Sequence, residues 1–344
     1  MAKPKLLHAT LALLCIFAGC GNEQTARAQT AESNNPLGSA LTERSQRRVR
    51  IRQFLDKRGE KAGLEGRSKR LQAKEAAIDT TKVAVQHDLA YGKEPRQKLD
   101  VYAPKDKKTL HPIVLFVHGG GWRVGNKSQQ VDKGAVFASN GVVFVSTNYR
   151  LAPEVQHPLQ IQDIASAFAW VKKHAAEFGG DPDKIFLMGH SAGAQLVDLL
   201  GTNDRFLLEQ ELSLKDVKGV ISLDTASLNL GERSKESTAE GAMVGDMIKS
   251  AFGTDPKVLA DASPTLCIKT GKSYPPFLMF CGERRTSCVA QHGKFEAALK
   301  KAGGTVKVYP VPLSHGAISQ AAGQEDTDIF KKSMALIKSG AIKD

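Results

Sequence analysis

From about Asp79 onward, short apolar runs alternate with longer segments in which apolar residues recur at helical spacing. The runs at 98–103 (KLDVYA), 113–118 (IVLFVH), 142–147 (VVFVST), 184–189 (KIFLMG), 219–223 (GVISL), 277–281 (FLMFC) and 305–311 (TVKVYPV) have the length and β-branched or aromatic content of strands. Between them, residues 158–178 place Ile161, Ile164, Ala165, Phe168 and Val171 on one helical face, and 288–302 read as a second helix. Such alternation predicts an α/β fold: a mostly parallel twisted sheet with helices on both faces. Residues 229–262 fit the alternation poorly and are expected to form an excursion beside the functional site. No internal repeat is visible.

The N-terminus follows a different pattern. Two lysines precede an apolar run from Leu6 to Gly19, broken only by His8 and Thr10, and polar sequence follows. That run is shorter than the ~20 residues of a membrane span and has the layout of a secretory leader. Two processing readings stand: lipidation at Cys20, from the lipobox-like FAGC with Phe17 in place of the usual Leu, and cleavage before Gln29 after ARA. The chain therefore divides into a leader (1–28), a basic polar linker or helix (29–78) and an α/β domain (79–344). The fragment FLDKRGEKAGLE, from Phe54 to Glu65, superficially resembles a calcium loop that opens at Asp56. Lys61 and Arg67 stand where such a loop needs glycine and a bidentate glutamate, so no metal is expected there.

Composition adds one point. The 344 residues are 41% hydrophobic and 24% charged, as in a globular protein with one large core. Of the net charge of +12, residues 1–76 supply +8, from 15 Lys/Arg against 7 Asp/Glu. The basicity belongs to the N-terminal arm, so nucleic-acid binding by the main body is not expected.

Candidate chemistry sits at the ends of the strands. GHSAG, Gly189 to Gly193, follows one apolar strand and precedes the helix-like AQLVDLLG. This is a nucleophile elbow: a sharp strand-to-helix turn exposes the Ser191 hydroxyl, and the helix N-terminus aims N–H groups at a developing oxyanion. HGGGW, His118 to Trp122, ends another strand, and its glycines let backbone N–H groups converge on one point, as an oxyanion hole requires. His315 follows the last strand in a polar turn, where an imidazole reaches the same edge. His190 is expected to face away from the chemistry, and His118 to support the glycine loop.

With these motifs, and with LDVYAP at 99–104, NYRLAPE at 148–154 and DPDKIFLMGHSAGA at 181–194, the chain resembles the α/β-hydrolases. Within them it resembles the hormone-sensitive-lipase-like carboxylesterases and related bacterial acetyl and feruloyl esterases. The resemblance implies the α/β-hydrolase fold and cleavage of small-molecule or polysaccharide-linked carboxylic esters, with no metal or organic cofactor. It implies Ser191 as nucleophile, His315 as general base and the N–H groups of Gly120, Gly121 and Ala192 as oxyanion donors. Asp163 is implied to be structural and paired with Arg150.

The acid is the open point. Family members place it as G-x-x-D after the next-to-last strand, and counting from Gly282 puts Arg285 there. A cation cannot stabilise the imidazolium formed during turnover. Asp224, at the end of the preceding strand, is the first candidate and keeps the chain order of nucleophile, acid and histidine. Glu283 is the local alternative. A third outcome is no acid at all, which would make the chain a hydrolase-fold binding protein of the cell envelope. Amide or peptide hydrolysis would use the same parts. Beyond the leader lie Cys267, Cys281 and Cys288: Cys281 and Cys288 could close a disulfide in an oxidising compartment, or all three could be buried free thiols. Export to the periplasm or envelope, or secretion, follows from the leader; the oligomeric state does not follow from the sequence.

Overall fold

The computed structural model describes residues 69–106 and 108–342. The leader, Cys20, most of the basic linker and the calcium-loop-like fragment lie outside the described residues.

The sheet has eight strands: β1 (Val83–Ala90), β2 (Lys98–Pro104), β3 (His111–Val117), β4 (Val143–Thr147), β5 (Gly180–His190), β6 (Val217–Leu223), β7 (Phe277–Gly282) and β8 (Val306–Val311). Their order is β1-β2-β4-β3-β5-β6-β7-β8. Pairings of β1 with β2 and of β2 with β4 are antiparallel, and all others are parallel. Every predicted strand is present. β1 was not predicted: VAVQHDLA carries His87 and Asp88 mid-strand, and its pairing with β2 shifts register there. An edge strand half open to solvent lacks the continuous apolar signal of a central one.

The helices are α1 (69–76), α2 (Val131–Ser139), α3 (Leu159–His174), α4 (Ala192–Thr202), α5 (Arg205–Leu208), α6 (Leu230–Arg233), α7 (Ala239–Phe252), α8 (Pro256–Asp261), α9 (Pro264–Cys267), α10 (Thr286–Lys301), α11 (His315–Ala321) and α12 (Asp328–Ser339). Side chains on successive strand positions alternate between faces. Accordingly Ile113, Leu115 and Val117 of β3 join one core, with α3 and α4, while Val114 and Phe116 join the other, with α2 and α12. The domain begins upstream of the expected boundary at Asp79. Leu71 of α1 packs on the second core, Ile78 is buried in it, and Lys74 pairs with Asp132 of α2. A basic, helix-permissive sequence concealed that docking because only one face of α1 is apolar.

The excursion at 229–262 is α6, α7 and α8. It crosses above the carboxyl ends of the parallel strands, where α7 contributes Met243, Val244 and Met247 to the wall of the main cavity.

Candidate active site

Four neighbouring parallel strands deliver the site residues at their carboxyl ends, the edge at which open α/β sheets bind ligands. Ser191 follows β5, Asp224 follows β6, Arg285 lies three residues beyond β7, and His315 follows β8 and opens α11. All four line one cavity of about 920 Å³, together with the glycine loop after β3.

The elbow is built as the sequence requires. Ser191 sits at φ 58°, ψ −120°, a conformation that non-glycine residues rarely adopt and that is held only by its surroundings. A Cβ on Gly193 would lie 2.2 Å from the Val117 carbonyl oxygen, so only glycine lets α4 start this close to β3. Ser191 N–H donates to the Leu223 carbonyl at 2.9 Å, tying the elbow to the end of β6, and Ala192 is the first residue of α4.

In the glycine loop, Gly120, Gly121 and Trp122 have φ of 119°, 58° and 58°. Among the described residues, the N–H groups of Gly120 and Gly121 donate to no protein acceptor. Trp122 anchors the loop: its Nε1 donates to Gln195 Oε1 of α4 at 2.9 Å, and Gln195 Nε2 donates to the Ala262 carbonyl at 2.8 Å. His118 supports the loop as expected, with Nδ1 2.8 Å from the Gly119 carbonyl and its ring stacked on Tyr149. Burial lowers it to about 4, so it is neutral at ordinary pH.

Of the candidate acids, the structure brings one to the histidine. Asp224 Oδ2 lies 2.6 Å from His315 Nδ1. Asp224 Oδ1 accepts from Gly282 N–H at 2.8 Å and from the Cys288 thiol at 3.1 Å. Glu283 is brought to neither partner: its N–H donates to the Val311 carbonyl, and its side chain is exposed. β7 ends so that the residue after Gly282 points to solvent, and of the two candidate acids only Asp224 is brought to the histidine.

Arg285, standing where the resemblance places an acid, reaches into the same cluster. Nη1 donates to Asp224 Oδ2 at 2.6 Å and to the Asp224 carbonyl at 3.2 Å, while Nη2 donates to Glu240 Oε1 at 2.8 Å. Nη1 also lies 3.1 Å from His315 Nδ1. A guanidinium only donates, so the arrangement that pairs every group has Nδ1–H pointing at the carboxylate. Nε2 is then left with its lone pair. Ser191 Oγ and the His315 imidazole face the cavity without a hydrogen bond between them, and such catalytic contacts often tighten only when substrate binds. Burial alone would raise the Asp224 carboxyl. His315, the Arg285 charge, Gly282 N–H and the thiol outweigh it and hold the group well below the usual carboxylate range.

His190 does not face away. Its ring lies 4.5 Å from that of His315, and its Nε2 is 3.0 Å from the His315 carbonyl. Burial, with His315 alongside, pushes it down to about 4, so it packs as a neutral ring. Asp163 pairs with Arg150 at 2.7 Å and accepts from Gln97 at 2.7 Å, away from the cavity, as expected. Cys267, Cys281 and Cys288 are free thiols. Cys281 and Cys288 are buried behind Asp224, close to His292.

Two participants had no sequence signal. Glu240 and Arg233 lie in the irregular excursion, and fully buried Arg233 pairs with both Glu236 and Glu240.

Residues 99–298 match the family model BD-FAE. The chain belongs to the BD-FAE family. Esterase LipC of Mycobacterium tuberculosis is 33% identical over 207 residues, covering 57% of this chain and 50% of the relative. A probable isoprenylcysteine alpha-carbonyl methylesterase, ICMEL1 of Arabidopsis thaliana, is 38% identical over 112 residues, 33% of this chain and 24% of the relative. The chain thus spans between about a quarter and about half the length of these curated relatives. Among solved structures, esterase B of Lactobacillus rhamnosis superposes with a TM-score of 0.64 at 21% identity, covering 81% of this chain and 92% of that one. Butyrate-bound esterase Est2 of Thermogutta terrifontis gives 0.56 at 26% identity, over 76% and 93%. The α/β-hydrolase fold and the esterase family resemblance of the motifs agree with these relationships.

Proposed function

We propose that the protein is a serine hydrolase of carboxylic esters. The observation that carries this reading is the Asp224–His315 hydrogen bond at the rim of a cavity that also holds the Ser191 elbow. In this mechanism Ser191 Oγ attacks the ester carbonyl and passes its proton to His315 Nε2. The N–H groups of Gly120, Gly121 and Ala192 receive the oxyanion, and Asp224 stabilises the imidazolium. His315 returns the proton to the leaving alcohol, and water then repeats the sequence on the acyl-enzyme. Relatives named as esterases support the reading.

The substrate class we favour is a short or aromatic acyl group on a hydroxyl-rich carrier. Trp122, Val124, Met243 and Met247 give one part of the cavity an apolar wall. Gln129, Gln130, Ser319 and Gln320 are shared with an adjoining cavity of about 400 Å³ that also carries Lys74, Asp132 and Gln324, a lining suited to hydroxyl groups. Export, with attachment through a lipidated Cys20 or as a secreted protein, is proposed from the leader alone.

The test is labelling with a fluorophosphonate probe and turnover of p-nitrophenyl acetate and butyrate, with Ser191→Ala as control. Labelling and turnover that vanish in Ser191→Ala are the expected result. Absence of both in the unmodified protein would favour the binding-protein alternative.

A further inference from the structure

Among the described residues, Arg285 is the one cation that touches the proposed triad, and it also touches the helix above it. Nη1 shares Asp224 Oδ2 with His315 Nδ1, and Nη2 is held by Glu240, in the first turn of α7. Glu240 is anchored from below by Arg233 of α6, whose side chain is fully buried. A continuous set of charge contacts therefore runs from the excursion to the imidazole: Arg233, Glu240, Arg285, Asp224, His315. The helix at its outer end also lines the cavity through Met243 and Met247.

We propose that Arg285 is a positioning residue that sets the basicity of His315, and that Glu240, by neutralising Arg285, tunes the same property from the excursion. This inference rests on the ester-hydrolase reading above. The sign follows from charge alone. The groups facing the imidazole are Asp224 from the end of β6, Arg285 from the turn before α10, neutral His190 from the end of β5 and Glu240 from α7. A cation 3.1 Å from Nδ1 opposes protonation of the ring, while the carboxylates favour it. Removing Arg285 should therefore move the acid limb of the kcat/KM profile to higher pH. Removing the Glu240 charge should move it lower, both because an anion is lost and because Arg285 is no longer neutralised. A purely structural brace has no reason to give opposite directions.

The experiment is the kcat/KM profile of p-nitrophenyl acetate hydrolysis between pH 4 and 9 for the full chain and for Arg285→Met, Arg285→Lys and Glu240→Gln. Rates are normalised to Ser191 titrated with fluorophosphonate, so that unfolded material does not count. The expected result is an acid limb raised by about one pH unit in Arg285→Met, lowered in Glu240→Gln and close to the parent in Arg285→Lys. Shifts of the same sign in the first and last variants, or no shift in Glu240→Gln, overturn the inference. Glu240 is half exposed, so Glu240→Gln decides the matter even where Arg285→Met fails to fold. Absence of Ser191-dependent turnover in the parent overturns the ester-hydrolase reading itself and this inference with it.

Discussion

Asp224 accepts a 2.6 Å hydrogen bond from His315 across a sequence separation of 91, from strand ends that are not adjacent in the sheet. β7 lies between them, and it is Gly282, at its end, whose N–H fixes the other carboxylate oxygen. The proposed acid is thus seated over β7 although it is carried by β6.

Asp224→Asn is expected to lower kcat by about 10³ to 10⁴, because the amide no longer stabilises the imidazolium or selects its tautomer. Glu283→Gln, an exposed change, should stay within about twofold of the parent. Steady-state kinetics on p-nitrophenyl acetate checks both. Equal losses would remove Asp224 from its role.

Two buried aspartates should respond oppositely to pH. Asp198 accepts from Ser222 at 2.7 Å, among the described residues it has no cation beside it, and burial raises it well above its ordinary value. A carboxyl raised in the folded state binds more protons there, so its presence costs stability as pH rises above its unfolded value near 3.8. Asp198→Asn should accordingly raise the melting temperature at pH 8 more than at pH 4. Asp224 is lowered, so its contribution is present above pH 3.8 and fades as pH falls below that value. Melting curves at several pH values would show whether the parent-to-variant gap for Asp198→Asn widens toward alkaline pH.

Gly120→Ala should reduce kcat by about 10² or more with a folded protein remaining, because misplacing an oxyanion donor has that effect. At φ 119° an added Cβ would lie 2.1 Å from the Val124 carbonyl oxygen, so the loop must shift. Circular dichroism together with kcat separates this from unfolding.

Trp122→Phe keeps the ring packed on Phe252 but leaves Gln195 Oε1 buried without its donor. The expected stability loss is about 1–3 kcal/mol, with a fall in kcat as the glycine loop loosens. Urea denaturation and steady-state rates would reveal it. Trp122→Phe with Gln195→Leu removes the orphaned acceptor but also the donor to the Ala262 carbonyl, so it should recover only part of the stability and little of the rate, since an apolar pair does not pin the loop.

Much of the molecule was legible because its signals are local. Continuous apolar runs mark buried parallel strands, and GHSAG and HGGGW mark turns that only glycines permit. Asp224 could be named as a candidate because it ends a strand, but choosing it over Glu283 needed the register of β6 against β7, a property of neighbours far apart in sequence. The docking of α1 and the edge strand β1 were hidden because each is apolar on one side only, and the inward turn of His190 because it depends on the neighbouring His315, far away in sequence. Glu240 and Arg233 left no trace, since a salt bridge between two different helices has no periodicity along the chain.

Adjacent strands in a sheet lie ~4.8 Å apart, and the N–H of Asp224 donates to the Phe280 carbonyl of β7 at 2.8 Å. The ends of β6 and β7 therefore present side chains to nearly the same point in space. A carboxylate on either can serve the same histidine, and the vacated position becomes available for another group, here a guanidinium. The proposed acid sits one strand away from where the resemblance places it, so a search by motif after β7 alone would miss Asp224.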